Sequence, residues 1–463
     1  MLTYDLDRRG KLARYDYLYR CIREDILAGR LTAGEKLPSK RSLASHLQTA
    51  VITVQNAYAQ LEAEGYLYTR EKRGYYVADV ERHPAAPGRA PARSAPQPQR
   101  SWLLDLSSGG SGTEDFPFSV WAKLMRRVLS EEGEALLRAT PPNGADALRR
   151  AIAQHLYRFR GISAAPEQIV VGAGIEYLLG CLAHLFSDGM AAIENPGYFR
   201  TRTVLQNSGI PCTLVDIDRE GLPADALEKS GANLCYLTPS HHFPTGVTMP
   251  ATRRAQLLAW AAARPGRYIL EDDYDSEFRF DTRPLPSLQG MAGPDGPVVY
   301  LTTFSKSLAP GIRIACMVLP QSLLARYRRD FATYANTVSR FEQQTLCEFM
   351  AGGYFTRHLA RMRLAYKRRM EAFAAALRAA LPGVELDGVH SGLHFLLTLP
   401  GAGGERAMVA AAAQQGVRLR GLSEYYLARP ERCRADTVVA GYSALKEDDV
   451  GKVAQALARA WLS

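Results

Sequence analysis

The stretch VVYLTTFSKSLAPGIR, residues 298–313, joins an apolar strand to a polar loop that contains proline and glycine. Three further apolar runs, QIVV at 168–171, AAI at 191–193 and RYIL at 267–270, also pass directly into small or polar residues. Helical stretches separate these runs, and strands that alternate with helices indicate a mostly parallel α/β sheet. The sequence therefore predicts an α/β domain whose polar loops follow the carboxyl ends of its strands, where such sheets place their chemistry.

A lysine and an acid stand at the ends of two of these strands. Lys306 follows VVYLTT, and Asp272 ends the run RYILED, with Tyr274 two positions further on. Pyridoxal phosphate needs a lysine to form an imine, an acid to keep its pyridine nitrogen protonated and a donor for its ring oxygen. A carboxylate beside a pyridinium stays ionised, and the attraction is stronger in a partly dry site. We therefore assign these three roles to Lys306, Asp272 and Tyr274.

The phosphate and the ring of such a cofactor also have candidate partners. QIVVGAGIEYLL predicts a strand, a turn of small residues and a helix, whose first backbone N–H groups would face an anion. Each feature is common by itself, and their order along the chain carries the prediction. The expected phosphate ligands are Ala173, Gly174, Ile175, Thr303, Ser305 and Arg313, and Tyr198 in AAIENPGYFR is expected to stack on the ring.

A proline-rich segment divides the chain. Residues 82–100, RHPAAPGRAPARSAPQPQR, contain five prolines and almost no large apolar side chain, which is typical of an extended linker. The predicted organisation is a first unit at 1–80, a linker at 81–101 and a larger domain at 102–463. Strands such as GLHFLLTL among Ala-rich helices predict a smaller α+β lobe from about 341 onward.

Composition narrows the class of protein. The seven cysteines are scattered and form no CxxC pair, which argues against a disulfide framework and a zinc site. The charged N-terminus has no signal-peptide pattern, and no apolar run reaches the roughly 18 residues of a membrane helix. A net charge of +10 permits contact with a polyanion. These features predict a cytoplasmic protein with no membrane partner.

The first 80 residues have the pattern of a helix-turn-helix. Leu18, Ile22, Ile26 and Leu27 fall at helical spacing, and Ser39 is placed to cap a helix with Leu43, Ala44 and Leu47 on its inner face. A second helix is predicted from about Val51 to Glu64, followed by two strands around the turn at 71–74. Periodicity alone also fits an ordinary small helical domain with solvated charges.

The residues LPSKRSLASHLQTAVITVQNAYAQLEAEGYLYTREKRGYYV, 37–77, resemble the winged helix of GntR-type bacterial regulators. The resemblance implies that Ser39 and Arg41 hold phosphates of double-stranded DNA, and that Lys72 and Arg73 contact phosphate or the minor groove. The family's usual Ser-Arg at the start of the recognition helix is replaced here by Ala50 and Val51. The side chains expected to meet an A·T-leaning operator are Val51 and Ile52 on thymine methyls, with Thr53, Gln55 and Asn56 as hydrogen-bonding groups.

From about Leu103 onward the chain resembles fold-type-I aminotransferases, and its fusion to a winged helix resembles the MocR subfamily of regulators. The motifs ENPGY, PSHHFPTGVTMP, EDDYDSEF and TFSKSLAPGIR carry this resemblance. It implies that Lys306 forms the internal aldimine, that Arg200 meets an effector carboxylate and that the protein is a homodimer. Asp272 and Tyr274 would hold the ring, Tyr198 would stack on it, and Arg313 with Thr303 would bind the phosphate of pyridoxal 5′-phosphate.

Two departures from the aminotransferase pattern argue against efficient turnover. Ala444 stands where we expect the arginine that grips a substrate carboxylate, so a charge-assisted anchor is missing. Near the ring oxygen, where aminotransferases usually have asparagine, this chain offers His241, His242 and Phe243. The ligand would then lack a carboxylate, be held by Arg200 alone, or be the cofactor itself.

The preferred hypothesis is a transcription regulator that senses an amine, an amino acid or pyridoxal phosphate through Lys306. A working aminotransferase with an attached DNA-binding module is the alternative, and residual transaldimination or half-transamination stays open. A third reading is a DNA-binding protein whose second domain has lost the cofactor and serves only for dimerisation. The effector, the target genes and the sign of regulation are not encoded in any motif of the sequence.

Overall fold

The computed structural model describes residues 2–10, 12–71, 73–80, 102–107, 113–280 and 285–462. The chain divides into two compact units, Met1–Gln99 and Arg100–Ser463. The linker expected at 81–101 and the DNA contact expected at Lys72 lie outside the described residues. Within the ranges given above, no helix combines the length and the apolar character that crossing a membrane requires.

The first unit is a winged helix-turn-helix. Its helices are α1 (Arg14–Leu27), α2 (Lys40–His46) and α3 (Val51–Ala63), and its antiparallel hairpin is β1 (Leu67–Arg70) with β2 (Gly74–Val77). The predicted second helix and the hairpin are therefore confirmed. The Ser39 hydroxyl accepts a hydrogen bond from the Ser42 amide at 3.1 Å, which confirms Ser39 as the cap of α2.

The core of the first unit follows the helical spacing of its apolar residues. Leu18 and Ile22 of α1 are fully buried against Val54 and Leu61 of α3 in one cluster. Full burial of each such side chain contributes about 1.5–3 kcal/mol to folding. Leu27, which shares the helical spacing in α1, is 46% exposed and lies outside this core.

The second unit is built on a seven-stranded sheet. The strands of this unit are β3 (Leu104–Asp105), β4 (Ile169–Gly172), β5 (Ala191–Asn195), β6 (Cys212–Asp216), β7 (Leu234–Leu237), β8 (Tyr268–Asp272), β9 (Val298–Thr303), β10 (Ala315–Val318), β11 (Glu385–Asp387), β12 (His394–Thr398), β13 (Val417–Arg418), β14 (Arg420–Gly421) and β15 (Thr437–Gly441). The strand order in the seven-stranded sheet is β4-β10-β9-β8-β7-β5-β6. Strands β5 to β9 run parallel, and β10 is antiparallel to both of its neighbours, so the predicted mostly parallel sheet is confirmed.

Helices cover both faces of this sheet. Adjacent strand residues point to opposite faces, so Val170 joins one core and Val171 joins another. The helices are α4 (Phe118–Glu132), α5 (Asp146–Arg160), α6 (Ile175–Leu185), α7 (Phe199–Asn207), α8 (Ala224–Lys229), α9 (Ala251–Ala262), α10 (Leu288–Ala292), α11 (Phe304–Ser307), α12 (Gln321–Asp330), α13 (Arg340–Ala351), α14 (Tyr354–Ala380), α15 (Glu405–Gln414) and α16 (Val450–Trp461).

A smaller α+β lobe closes the unit. Its antiparallel sheet has the order β11-β12-β15-β14 and packs with α15, α16 and the second half of α14. The 27-residue helix α14 belongs to both lobes. Phe355 near its start lies in the core with Trp121 of α4, whereas Phe373 near its end packs with Phe395 of β12. This shared helix fixes the smaller lobe beside the carboxyl ends of the parallel strands.

Candidate cofactor and effector site

A cleft of about 530 Å³ lies where the loops after β5, β8 and β9 meet the first turn of α6, within the usual size of small-molecule sites. The fold brings most of the expected site residues to its wall. Ala173 does not line the cleft. Those that do are Gly174, Ile175, Tyr198, Arg200, Asp272, Tyr274, Thr303, Ser305, Lys306 and Arg313.

Lys306 lies on the short helix α11, which directly follows strand β9. The Thr303 hydroxyl caps this helix by accepting a hydrogen bond from the Ser305 amide at 3.1 Å. Burial lowers the pKa of the Lys306 amine, the positive charge of Arg200 adds to that effect, and Asp275 opposes it. A lowered pKa raises the fraction of neutral, nucleophilic amine at neutral pH.

Asp272 ends β8 with its carboxyl group buried and only half satisfied. Its Oδ2 accepts a hydrogen bond from the Tyr236 hydroxyl. Its Oδ1 is buried and has no hydrogen-bond partner among the described residues. Burial, assisted by the neighbouring Asp273 and Asp275, raises the pKa of Asp272 to about 7 against the lowering effects of Tyr236 and Lys306. A cationic N–H group at Oδ1 would satisfy this oxygen and favour the ionised carboxylate.

The Tyr274 hydroxyl is held by the buried His241. It donates to the His241 carbonyl at 3.0 Å and lies 3.2 Å from Nδ1 of the same residue. Nδ1 in turn lies 2.8 Å from Oδ2 of Asp275. Burial raises the pKa of Tyr274 well above its usual value. The phenol therefore stays protonated near neutral pH. Its single hydrogen is donated to the His241 carbonyl and would have to turn toward the cleft to donate to a ligand.

The turn before α6 forms a close cradle. Gly174 caps α6 with a φ of 102°, and a Cβ built on it would lie 2.4 Å from Nη2 of Arg313. Arg313 Nη2 donates to the Ala173 carbonyl at 3.3 Å. A side chain larger than hydrogen at position 174 would displace this guanidinium, so the glycine leaves room for it beside the helix N-terminus.

The amides of this turn are not all available to an anion. The Ala173 amide donates to Thr337 Oγ1 at 3.0 Å, and the Gly174 amide donates to the Gly172 carbonyl at 2.8 Å. Ile175 is the first residue of α6, and amides in a first helical turn have no intrahelical acceptor. An anion at this helix end would therefore rest on the amides from Ile175 onward instead of on all three expected positions.

Aromatic rings line the opposite wall. Tyr198, 36% exposed, precedes α7 and meets Phe243 edge to face at a ring distance of 5.5 Å. Phe243 also packs against Tyr425 at 5.0 Å. Of the three residues expected near the ring oxygen, Phe243 lines the cleft, while His241 and His242 are buried and do not. Burial lowers the pKa of His242 to about 3, so this ring stays neutral.

The cleft contains two arginines that the sequence analysis missed, so Arg200 is not its only guanidinium for a ligand carboxylate. Ala444 is exposed and does not line the cleft, whereas Arg418 and Arg420 do. The available signal was the alternation around Leu419, because residues two apart in a strand share one face. Without a predicted sheet partner for that segment, the alternation did not show which surface the pair meets.

The DNA-binding residues expected in the first unit lie on its surface. Val51 and Ile52 are adjacent aliphatic side chains that are 43% and 58% exposed at the start of α3. The Thr53 side chain is half-buried. The remaining expected contacts, Ser39, Arg41, Gln55 and Arg73, are exposed or half-buried.

Family models match both units of the chain. The model described as bacterial regulatory proteins, gntR family, matches residues 14–77. The model described as aminotransferase class I and II matches residues 103–456, which is most of the chain.

Curated relatives match this chain over most of their own length. An uncharacterized HTH-type transcriptional regulator, YhdI of Bacillus subtilis, is 36% identical over 99% of this chain and 98% of its own. The probable rhizopine catabolism regulatory protein MocR of Rhizobium meliloti is 32% identical over 99% and 96%. The pyridoxine biosynthesis transcriptional regulator PdxR of Corynebacterium glutamicum is 32% identical over 88% and 87%.

Solved aminotransferases share the fold of the second unit. A multiple substrate aminotransferase from Thermococcus profundus matches with a TM-score of 0.69 and 25% identity over 79% of this chain and 92% of its own. A kynurenine aminotransferase from Pyrococcus horikoshii matches with a TM-score of 0.68 and 24% identity over 78% and 91%. The chain belongs to the MocR subfamily of GntR-type transcription regulators, in which a winged helix is joined to an aminotransferase class I and II domain.

Proposed function

We propose that this protein is a DNA-binding transcription regulator that binds pyridoxal 5′-phosphate at Lys306 and senses a small amine, an amino acid or the cofactor itself. The observation that carries the proposal is the buried Oδ1 of Asp272, which has no partner among the described residues and lies in the same cleft as Lys306. A buried acceptor left unsatisfied costs about 1–3 kcal/mol, which a bound N–H donor would recover.

The residues of the cleft fit the groups of the cofactor. When bound, the cofactor supplies an aldehyde that joins a primary amine reversibly and a ring nitrogen that carries a proton. Lys306 offers the amine, Asp272 the acceptor for the ring N–H, and Tyr274 a donor for the ring oxygen. Tyr198, which lines the cleft, would stack on the ring. The phosphate partners in this proposal are the amides from Ile175 onward, the hydroxyls of Thr303 and Ser305, and Arg313.

An effector would meet the outer part of the same cleft. Arg200 and Arg420 both lie near the ring of Tyr198, and their positive charges each act on its hydroxyl. Phe243 fills the remaining wall with an apolar ring. A ligand with one primary amine and one carboxylate has partners here, since the amine reaches toward Lys306 and the carboxylate toward a guanidinium.

The first unit would read DNA as part of a homodimer. Paired winged helices place two α3 helices in successive major grooves, so that two half-sites are read. The exposed Val51 and Ile52 favour thymine methyl groups over the hydrogen-bonding edge of guanine. Regulation by a ligand requires that it bind one arrangement of the protein more tightly than another.

The names of the relatives support regulation over catalysis as the role. PdxR is named for pyridoxine biosynthesis, and MocR for rhizopine catabolism. The first name favours cofactor supply as the regulated process, and the second favours catabolism of a compound. Both processes are compatible with a cleft that takes an amine or the cofactor.

An active aminotransferase is the second candidate. It is favoured by the fold shared with the kynurenine and multiple substrate aminotransferases and by the presence of Lys306, Asp272 and Tyr274 in one cleft. Phe243 argues against it, because an apolar ring cannot offer the side-chain amide hydrogen bond expected near the ring oxygen.

The experiment is covalent trapping on the full chain. After incubation with pyridoxal phosphate and borohydride, mass spectrometry should find a reduced adduct on Lys306, and Lys306→Ala should give none. An unmodified Lys306 in folded protein would overturn the proposal that the protein is a sensor. The alternative that would then remain is a DNA-binding protein whose second domain serves for dimerisation. Many turnovers per site with an amino donor and a 2-oxo acid would instead favour the enzyme.

A further inference from the structure

The carboxylate of Glu176 lies between two arginines at the phosphate end of the cleft. Its Oε2 is 3.0 Å from Nη2 of Arg313, and its Oε1 is 3.8 Å from Nη1 of Arg200. All three side chains line the cleft and are about half exposed. Glu176 thus occupies the guanidinium that a bound phosphate would use.

An acidic residue in a first helical turn has an ordinary structural explanation. It stabilises the helix by interacting with the positive end of the helix dipole, and such residues usually face solvent. Glu176 differs because its carboxylate faces a cleft whose donors suit a dianion. Its ion pair with Arg313 joins residues 137 positions apart, so local helix stability does not account for it.

We propose that Glu176 sets the affinity and selectivity of this site for a phosphate-bearing ligand. This inference rests on the proposed binding of pyridoxal phosphate at Lys306. The carboxylate acts in two ways: it competes for Arg313, and it repels the phosphate charge across a short distance. A weaker phosphate site makes occupancy depend on the free concentration of the cofactor, which is what a sensor of that cofactor requires.

The effect must act through the phosphate alone. Pyridoxal without phosphate meets Lys306, Asp272 and Tyr274 in the same way but places no charge near Glu176. The diagnostic quantity is therefore the ratio of the dissociation constants of pyridoxal and pyridoxal phosphate. General changes in stability or in the reactivity of Lys306 alter both constants and leave their ratio unchanged.

The test measures both constants by absorbance titration of the full chain, for wild type, Glu176→Gln, Glu176→Asp and a control, Glu134→Gln. Glu134 is an exposed glutamate of the second unit that does not line the cleft. Glu176→Gln should raise the ratio about tenfold, equivalent to about 1.4 kcal/mol. Glu176→Asp should lie closer to wild type, and Glu134→Gln should match wild type. Inorganic phosphate should compete with pyridoxal phosphate more strongly in Glu176→Gln than in wild type.

The outcomes separate this inference from the proposed function. If wild type forms no adduct with either ligand, the proposed function fails. If wild type binds pyridoxal phosphate but Glu176→Gln leaves the ratio unchanged, or lowers it, Glu176 only supports the helix or positions Arg313, and the inference is wrong. Glu176→Ala gives a second measurement of the same ratio, and thermal unfolding of each variant verifies its fold.

Discussion

Gly174 and Arg313 approach so closely that a methyl group on the glycine would lie 2.4 Å from Nη2 of the arginine. Real Cβ contacts are never so short, so either the guanidinium or the turn must move. The glycine also has a φ of 102°, which side chains rarely adopt. These two residues therefore constrain each other at the end of the cleft beside α6.

Gly174→Ala should weaken binding of pyridoxal phosphate by at least about tenfold, because it displaces a charge-assisted donor worth roughly 1.5–3 kcal/mol. Phosphate-free pyridoxal should lose much less affinity. Gly180→Ala on the same helix is the matched control, since a Cβ there meets nothing within 4 Å. Equal losses for both ligands in Gly174→Ala would mean that the turn as a whole has collapsed.

Asp272→Asn should change the pH dependence of stability of the cofactor-free protein. The folded pKa of Asp272 is about 7 against an ordinary 3.8, so the folded chain binds more protons between these values. Its ionisation then destabilises the fold as pH rises, by roughly 4 kcal/mol at most above pH 7. At pH 8 the variant should have a higher melting temperature and a higher free energy of unfolding than wild type. At pH 5.5 the difference in free energy of unfolding should be about half as large.

Added pyridoxal phosphate should reverse this difference. A protonated ring nitrogen beside Oδ1 favours the carboxylate, so wild type gains more stability on loading than Asp272→Asn. The exposed Asp295 does not line the cleft, so Asp295→Asn is the control and should show neither effect. A difference between Asp272→Asn and wild type that stays constant from pH 5.5 to pH 8 would contradict the assignment.

The positions of Lys306, Asp272 and Tyr198 in the cleft were predictable because each follows a buried strand. Parallel strands end at one edge of a sheet, so residues that come just after them meet there whatever the rest of the fold does. The winged helix was predictable for a similar reason. Its helices are short, and the spacing of Val54, Ala57 and Leu61 defines the buried face within α3 itself.

The contacts of Glu176 and Arg420 were not predictable, because both depend on pairings between distant segments. Arg420 lies on β14, which pairs with β15, and its cross-strand partner is Val439. β14 has only two residues, which is too few for a periodic signal. The side chain of Glu176 could equally have faced solvent, and its ion pair with Arg313, 137 positions further along the chain, holds it beside the cleft.

Arg420→Gln should reduce the preference of the cleft for a ligand carboxylate. Alanine and isopropylamine share an amine and differ by a carboxylate in place of one methyl group, so their relative half-effect concentrations measure that preference. In titrations followed by cofactor absorbance, the loss of one guanidinium should lower the apparent affinity for alanine about tenfold relative to the affinity for isopropylamine. Because Ala444 is exposed outside the cleft, Ala444→Arg should leave the ratio unchanged. If Ala444→Arg instead increases the preference for alanine, position 444 does contribute to carboxylate binding.

Val51 and Ile52 should read thymine methyl groups, and this can be tested by removing the methyl from the DNA instead of changing its hydrogen bonds. Operators selected from random duplexes should have A·T-leaning half-sites, and replacing thymine by deoxyuracil at those positions removes only the C5-methyl. Wild type should lose several-fold affinity at each sensitive position, within the 1–3 kcal/mol that a base contact contributes. Val51→Ala with Ile52→Ala should bind the thymine operator more weakly but lose little further on substitution by uracil. If the double variant loses as much as wild type, the methyl groups are recognised by another part of the first unit, and if the selected half-sites are G·C-rich, the aliphatic start of α3 does not set the operator sequence.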